Sequence, residues 1–490
     1  MKKAKYIRHP NPTLRGNPLV EGLGFPLSRD ALHSGCNSPF EGGLDLADVP
    51  PELYGYYTRS VVQNLFDVHI CQDEMTEVYE TIRQSIEAGY RKRNPLLPDH
   101  QRLLAAIERD KDSPLKAQHI NRLNLFGGSF SYLLCGLSGR GKSSMVEMAL
   151  KHIDQVIEHE YYSQPNQEPL PFRFTQLTYI YVEHHDRRGQ KALLLSILEA
   201  IDEVTDERYA YENRNSSVKE LMNGVRKAIV VHGIATIIID EAQNFASSPK
   251  ELKIGTNEKT SMKFVEELFN TIGASLIFVG TFSTLELFSK EMTITRRTIR
   301  CGLMALTSCS VDSSFWKRLC REILRTELLA SNGDDHYLLR QHLHYLSAGI
   351  PAIAVSLVQA TLNYLTYHKP EHQRLTVSAL DYVFEKQFGL LREPIQALHN
   401  GDYHLFEDLK PMIMLEKVNP KEKTDEQLRN IEVQAQEMEA QLIQKRTQLM
   451  DGPVQILSSK RQKSPHEVDA SKECNALSPD SFMDILGGSS

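Results

Sequence analysis

Between residues 131 and 307, short apolar runs alternate with stretches whose apolar positions recur at helical spacing. Each run is rich in β-branched and aliphatic side chains, which is typical of strands that are buried on both faces. Such runs, separated by helices, predict a parallel sheet of five strands and therefore an α/β fold. The predicted strands are residues 132–135, 177–182, 235–239, 274–279 and 299–306.

The pattern changes on either side of this region and divides the chain into four segments. Residues 1–75 are rich in Pro, Gly and Asn and predict an irregular N-terminal arm. An amphipathic helix then introduces an α/β core over 76–310, and helical periodicity predicts a helical lid over 311–408. Residues 409–490 turn polar and predict one further helix, at 424–450, followed by a disordered tail.

Composition excludes several classes of protein. The 490 residues are 41% hydrophobic and 24% charged, which is ordinary for a soluble globular protein. No apolar run is long enough to span a membrane, and no apolar segment follows the basic N-terminal residues, so we expect a cytoplasmic protein without a signal peptide. The seven cysteines are scattered without a Cys-x-x-Cys pair, which argues against a zinc ribbon or a disulfide framework.

The strongest chemical signal is a glycine-rich loop between a predicted strand and a predicted helix. It fits G-x-x-x-x-G-K-S/T, the loop whose backbone N–H groups surround the phosphates of a nucleotide such as ATP; an ordinary Gly-rich turn is the alternative. Lys142 is expected to reach the β- and γ-phosphates, and the Ser143 hydroxyl to bind Mg²⁺. The residues of this predicted ATP site are Gly136, Ser138, Gly139, Arg140, Gly141, Lys142, Ser143 and Ser144.

A second motif, Asp240-Glu241, ends the predicted strand 235–239. Asp240 is placed to hold Mg²⁺, directly or through water, and Glu241 to polarise the water that attacks ATP. An apolar run that ends in Asp-Glu is otherwise often only a strand that enters a loop, but here it accompanies a phosphate loop. The pair therefore favours an ATP hydrolase over a passive nucleotide sensor.

Two further candidates for hydrolysis follow the next strand. Thr281 is placed to sense the γ-phosphate and orient the water, although a strand-terminal threonine also commonly bonds to backbone. Arg296 and Arg297 lie in a basic turn before the last strand. Either arginine, supplied in trans, would neutralise charge on the transferred phosphoryl group; a solvated basic turn is the alternative.

A basic cluster after the second predicted strand is a candidate contact with nucleic acid. The chain carries 56 basic and 63 acidic residues, a net charge of −7, so any such contact must come from a local patch. The candidate DNA-binding residues are Arg187, Arg188 and Lys191, and a solvated loop is the alternative. Adjacent histidines in the same cluster lack further ligands, so no metal site is expected there.

The order of these motifs resembles AAA+ ATPases: a phosphate loop, an Asp-Glu strand, a Val-Gly-Thr strand end and an Arg-Arg turn, followed by a helical lid. Over residues 10–400 the chain more narrowly resembles the TnsC/TniB-type target-selection ATPases of heteromeric bacterial transposons. The pieces that carry the narrower resemblance are Asn17-Pro18-Leu19-Val20-Glu21, Gly89-Tyr90, Arg93-Asn94-Pro95 and Glu241-Ala242-Gln243-Asn244, where Asn244 replaces the family's His.

The resemblance implies a homo-oligomer, a ring or a helical filament, that assembles with ATP on the backbone of double-stranded DNA with weak sequence preference. It implies transposase subunits and a target-selector protein as partners, with hydrolysis driving disassembly. It also implies that Tyr90, Arg93 and Asn94 lie near the nucleotide, and that Arg296 or Arg297 completes a neighbour's ATP site.

One departure from the family and two other functions bear on this interpretation. Many AAA+ proteins carry an arginine after a Gly in the lid, but Gly349 is followed by Ile350-Pro351-Ala352, which predicts slow hydrolysis. A replication-initiator or clamp-loader-like AAA+ ATPase, or a scaffold protein whose oligomer is stabilised by nucleotide, would carry the same nucleotide motifs.

The C-terminal segment predicts a site for a partner. Apolar positions recur at helical spacing over 428–449, and an apolar cluster lies in the polar tail at 478–486. Such a cluster is typical of a segment that orders on binding, and by resemblance its partner would be a transposase subunit. The alternative for the helix is that it packs on its own lid.

Overall fold

The computed structural model describes residues 2–109, 130–163, 168–184, 189–245, 264–269, 272–289 and 292–400. The predicted C-terminal helix and tail lie outside these residues. The strands are β1 Lys2–Lys3, β2 Ser131–Gly136, β3 Val156–Tyr162, β4 Leu170–Leu177, β5 Tyr179–Glu183, β6 Thr236–Asp240, β7 Ser275–Gly280 and β8 Leu303–Leu306. The helices are α1 Pro18–Glu21, α2 Arg29–Gly35, α3 Tyr54–Val62, α4 Met75–Tyr90, α5 Pro98–Arg109, α6 Lys142–Leu150, α7 Gln190–Thr205, α8 Tyr209–Asn213, α9 Val218–Val231, α10 Phe282–Ser289, α11 Met292–Thr298, α12 Ser314–Ile323, α13 His336–Ser347, α14 Pro351–Leu365, α15 Val377–Gln387 and α16 Arg392–Asn400.

Five strands form one parallel sheet in the order β5-β6-β7-β2-β8, which confirms the predicted α/β fold. Because successive strand residues point to opposite faces, both faces are apolar. Ile237 and Ile239 pack with α7 and α9 on one face, and Ile238 packs with α4 and α6 on the other. The last strand is shorter than the predicted run 299–306, because the chain leaves α11 through a turn before β8 begins.

All five strands are parallel, so their carboxyl ends meet at one edge of the sheet. Gly136, Asp240 and Gly280 end β2, β6 and β7 at this edge. The residues that the sequence singles out for ATP chemistry directly follow these positions. This topology places them around one site.

The N-terminal segment differs from the predicted irregular arm. It contains α1, α2 and α3, and its apolar residues are buried in two different cores: Leu19 and Leu32 beneath the sheet, Val62 and Leu65 in the lid. Each of these helices has nine residues or fewer, too short for a sustained helical pattern in the sequence, and tertiary packing supplies most of their stability.

A second sheet, of order β1-β3-β4, was not predicted. Its strands β3 and β4 are antiparallel, and Gln176 on β4 donates to the Leu19 carbonyl at 2.8 Å, which attaches this sheet to α1. The alternation of apolar and polar residues over 170–177 is the signal in the sequence that indicates β4.

Helices α12 to α16 confirm the helical region predicted after the sheet. They pack around a core that contains the fully buried Trp316. Among the described residues, no single helix is long and apolar enough to cross a membrane, and only the bent pair His336–Ser347 and Pro351–Leu365, taken together, has the length and composition to do so.

Candidate nucleotide site

The glycine-rich loop joins β2 to α6, and its geometry depends on glycine at two positions. Gly139 has φ 74° and Gly141 has φ 93°, a left-handed conformation that residues with a Cβ rarely adopt. Lys142 opens α6, and its ammonium donates to the carbonyls of Gly136 and Leu137 at 3.1 and 3.0 Å. The loop is therefore curved as a phosphate-binding loop, with its lysine side chain folded across it.

The remaining predicted members of the loop are divided between surface and interior. Ser138 and Ser144 are exposed, and Ser143 is half-buried in the first turn of α6. Arg140 belongs to the predicted loop, but its guanidinium is buried and forms its hydrogen bonds elsewhere. It donates to the carbonyl of Thr307 at 2.9 Å and pairs with Glu74 at 3.2 Å, so it connects the loop to the N-terminal segment.

Asp240 is a buried carboxylate at the end of β6, 2% exposed. Its Oδ2 accepts the Tyr181 hydroxyl at 2.8 Å, and its Oδ1 accepts the backbone N–H of Glu241 at 2.7 Å. Burial and the charge of Asp240 raise the pKa of Tyr181 well above its usual range, so the phenol keeps its proton and remains a donor. Two donors therefore fix the orientation of this carboxylate.

The predicted magnesium ligands are of the kind that Mg²⁺ requires. Ser143 supplies a hydroxyl oxygen at the start of α6, and Asp240 a carboxylate oxygen at the carboxyl end of β6. Mg²⁺ prefers such oxygen ligands and is usually completed by phosphates and water. Among the described residues, no group of three or more His, Cys, Asp or Glu is arranged to hold a metal ion.

Glu241 is half-buried and has φ 55°, a left-handed backbone conformation that is uncommon for a residue with a side chain. Its Oε2 accepts the side-chain amide of Gln243. The same glutamine accepts the backbone N–H of Thr281 at 3.1 Å. The structure thus brings Glu241 and Thr281 together through Gln243, a residue to which the sequence assigned no role although it lies in the Glu-Ala-Gln run.

A cleft of about 260 Å³ lies beside the phosphate loop, between the N-terminal segment and the lid. The amide of Ala352, at the start of α14, donates to the carbonyl of Gly139 at 3.2 Å, which brings the lid into contact with the loop. Burial and the charge of Lys151 lower the pKa of His69, so this lining residue is neutral at pH 7. Residues that line the cleft include Leu65, His69, Ile70, Gln72, Gly141, Ser144, Phe315 and Ala352.

The sequence did not reveal this cleft because its walls come from segments that are far apart in the chain. The N-terminal wall belongs to the segment that the sequence predicts as irregular, and the lid wall lies beyond the whole sheet. Its size and position beside the loop suit the base and ribose of a nucleotide.

The two candidate arginines on α11 have different surroundings. Arg297 donates to Glu266 at 2.8 Å, whereas Arg296 is exposed. Within the described residues, no hydrogen bond or ion pair holds Arg296. Lys191 is half-buried in the first turn of α7, and Arg187 and Arg188 lie outside the described residues.

The expectation that Tyr90, Arg93 and Asn94 lie near the nucleotide is wrong. The Tyr90 hydroxyl donates to the carbonyl of Gly233 at 2.7 Å. Gly233 lies just before β6 begins, at the edge of the sheet opposite the phosphate loop. The physical reason is the length of α4, whose 16 residues extend about 24 Å. Its first turn lies at the phosphate loop, and its last turn carries these residues away from it.

Two of the motifs that suggested the narrower family contact each other at this opposite edge. The side chain of Asn17 donates to the carbonyl of Tyr90 at 2.9 Å, and that of Asn94 donates to the carbonyl of Gly16 at 2.9 Å. Arg93 is 2% exposed and donates to the carbonyl of Gly89 at 2.7 Å. These residues stabilise the attachment of the N-terminal segment to the sheet and do not contact the loop.

Comparison with known proteins agrees with the geometry of the site. Residues 128–288 match the model of the AAA domain family. No curated protein matches the sequence. Among solved structures, the chain is similar to the Aeropyrum pernix ORC2 protein in its ADPNP–ADP complexes, with 14% sequence identity and a TM-score of 0.32 over 60% of this chain and 69% of that chain. That likeness is too low to indicate a shared function. Residues 128–288, with their phosphate loop and Asp-Glu strand, are an AAA domain, a nucleotide-binding module of the P-loop NTPase class.

Proposed function

We propose that this protein is an ATP hydrolase that assembles as an oligomer on double-stranded DNA and recruits or activates a transposase, with hydrolysis driving disassembly. The observation that carries the hydrolase is the arrangement at one sheet edge of Lys142, Asp240 and Glu241, each held by a hydrogen bond. A scaffold that only binds nucleotide has no need of an oriented base in this place.

Each residue has a distinct role in this proposal. Lys142 and the N-terminus of α6 neutralise phosphate charge, and Ser143 and Asp240 hold Mg²⁺, which supplies further charge neutralisation at the phosphates when bound. Glu241 polarises the attacking water, and Thr281 contacts the γ-phosphate. The cleft between the N-terminal segment and the lid takes the base and ribose.

The position of Arg296 supports the proposed oligomerisation. This exposed arginine carries a positive charge that is not paired with the carboxylates of its own nucleotide site. The γ-phosphate of the ATP on a neighbouring protomer is a suitable partner for that charge. Association with DNA and transposase rests on the resemblance over residues 10–400 and on the basic pair Arg187 and Arg188.

The test combines phosphate release with electron microscopy of the protein, duplex DNA and a non-hydrolysable ATP analogue. We expect DNA-bound oligomers with the analogue, and phosphate release that duplex DNA stimulates. Lys142→Ala should abolish nucleotide binding and Glu241→Gln should retain ATP without turnover, whereas Lys151→Ala, an exposed lysine at the end of α6, should behave as wild type.

The possible results separate the alternative functions. Assembly without phosphate release would support the nucleotide-stabilised scaffold. Strong preference for one duplex sequence, without any response to transposase, would support a replication initiator or clamp loader. Wild-type hydrolysis in Glu241→Gln would overturn the role of Glu241.

A further inference from the structure

The 3₁₀ turn Ala242–Phe245 places one amide between the two residues assigned to hydrolysis. Gln243 donates through Nε2 to Glu241 Oε2, and its Oε1 accepts the backbone N–H of Thr281 at 3.1 Å. A longer contact of 3.4 Å joins Oε1 to the hydroxyl of Thr284. A single side chain therefore touches both the proposed base and the proposed γ-phosphate sensor.

The absence of a side chain at Gly280 leaves space for this amide. A Cβ at Gly280 would lie 2.6 Å from Gln243 Oε1 and 2.3 Å from the Thr284 hydroxyl, both closer than such contacts occur. Glycine at the end of β7 thus leaves the space that the amide occupies. A side chain at position 280 would force the Gln243 amide or the Thr284 hydroxyl to shift.

Glu241 is held at both its backbone and its carboxylate. Its backbone N–H donates to Asp240 Oδ1 at 2.7 Å in the left-handed conformation, and its carboxylate accepts the Gln243 amide. The two contacts together fix the orientation of the carboxylate toward the site. The Gln243 amide thus offers a donor to Glu241 and an acceptor to Thr281 from the same planar group.

We propose that Gln243 is a positioning residue for ATP hydrolysis, which holds the Glu241 carboxylate at a set distance from Thr281 so that base and γ-phosphate sensor act as one unit. This inference rests on the proposed ATPase function. In this proposal Gln243 acts through Glu241 and Thr281 and not directly on the phosphates or the attacking water. Its loss should therefore lower kcat and leave the KM for ATP within about twofold, as expected when only transition-state stabilisation is removed.

The most informative variant is Gln243→Glu, which keeps the shape and the acceptor but replaces the donor by a second carboxylate. Two negative charges that share this site repel each other, so the Glu241 carboxylate should leave the position that Gln243 sets. The kcat at pH 7 should fall about tenfold or more, while the KM for ATP stays within about twofold. Gln243→Leu, which removes both the donor and the acceptor, should also lower kcat at constant KM.

Two further variants separate positioning from a merely structural role. Gly280→Ala, which crowds the amide while residue 243 stays unchanged, should also lower kcat at constant KM. Gln101→Glu adds the same charge at an exposed position on α5 and should leave kcat and KM unchanged.

A wild-type kcat in Gln243→Glu would overturn the inference, and so would parallel losses of ATP binding and Tm in every variant at position 243. If Glu241→Gln is inactive while Gln243→Glu is normal, this inference fails and the proposed ATPase stands. If the wild-type chain releases no phosphate with or without duplex DNA, both fail.

Discussion

Arg297 donates to Glu266 over 2.8 Å, while Arg296, one position earlier on α11, is exposed. Adjacent residues on a helix point in different directions, so only one of two neighbouring arginines can face a given partner. Arg297 is therefore already paired with the Glu266 carboxylate of its own chain. Arg296 is therefore the arginine that we expect to act on a neighbouring protomer's nucleotide.

We predict that Arg296→Ala lowers ATP hydrolysis about 10³-fold in the assembled protein, because an arginine supplied in trans contributes on this order to phosphoryl transfer. ATP binding by the single chain should stay at the wild-type level. Arg297→Ala should retain most of its activity and lose no more than about 1 kcal/mol of stability, since its ion pair is partly exposed.

A mixing experiment checks the trans arrangement of Arg296. Neither Arg296→Ala nor Glu241→Gln should hydrolyse ATP alone, but a mixture should regain part of the activity, because one variant supplies the arginine and the other an intact site. Absence of rescue in mixtures that form oligomers would show that Arg296 does not act in trans.

The second prediction concerns contacts with DNA. Replacement of Arg187 and Arg188 together by Ala should reduce the log–log salt slope of DNA binding by about two per protomer, one for each lost phosphate contact. Binding to unrelated duplexes should weaken equally, since phosphate contacts do not read sequence. Lys191→Ala should change the slope by about one at most. A wild-type slope in the double variant, measured by fluorescence anisotropy across a salt series, would exclude this cluster from the interface.

The third prediction concerns the C-terminal tail. Deletion of residues 452–490 should leave ATP hydrolysis and assembly on DNA near wild type but weaken the binding of a transposase subunit, because these residues carry no nucleotide motif. Pull-down of the transposase by the DNA-bound oligomer measures this directly. Loss of ATP-dependent assembly in the truncated protein, or undiminished recruitment, would contradict the assignment.

The fourth prediction is a loss of stability in acid caused by His100. This histidine is 3% exposed, and neither ring nitrogen has a hydrogen-bond partner in the part of the chain that the structure describes. Burial, with the charge of Arg93, lowers its pKa to about 4. His100 therefore binds a proton near pH 6.5 in the unfolded chain but only near pH 4 in the folded chain. The free energy of unfolding therefore falls as pH decreases from 6.5 to 4. The loss attributable to His100 at pH 5 is about 2 kcal/mol.

His100→Phe should remove this part of the pH dependence. Its Tm should decline less than that of the wild type between pH 7.5 and pH 5, whereas His372→Gln, a change at an exposed histidine, should follow the wild type. Equal declines for His100→Phe and the wild type would show that His100 does not contribute.

Local and contiguous features were open to prediction from the sequence. Strands β2, β6 and β7 are buried on both faces, so each is a continuous apolar run that is visible in the sequence. The parallel sheet follows from the helices that lie between these runs. The phosphate loop and the Asp-Glu pair are likewise continuous stretches of chain. Parallel topology then brings the ends of those strands together whatever the details of packing.

Only the tertiary structure decided which distant side chains share the site. The N-terminal segment divides its apolar residues, such as Leu19 and Val62, between two cores, and its short helices have no periodicity that would reveal this. The length of α4 places Tyr90 at the edge of the sheet opposite the phosphate loop, contrary to what the resemblance implied.

The role of Gln243 and the difference between Arg296 and Arg297 depend in the same way on contacts with partners elsewhere in the chain. Hydrophobic periodicity and motif spacing depend only on residues that lie close together along the chain. A hydrogen bond to Thr281 or an ion pair with Glu266 is determined by how separate elements pack, and burial patterns do not encode the identity of that partner.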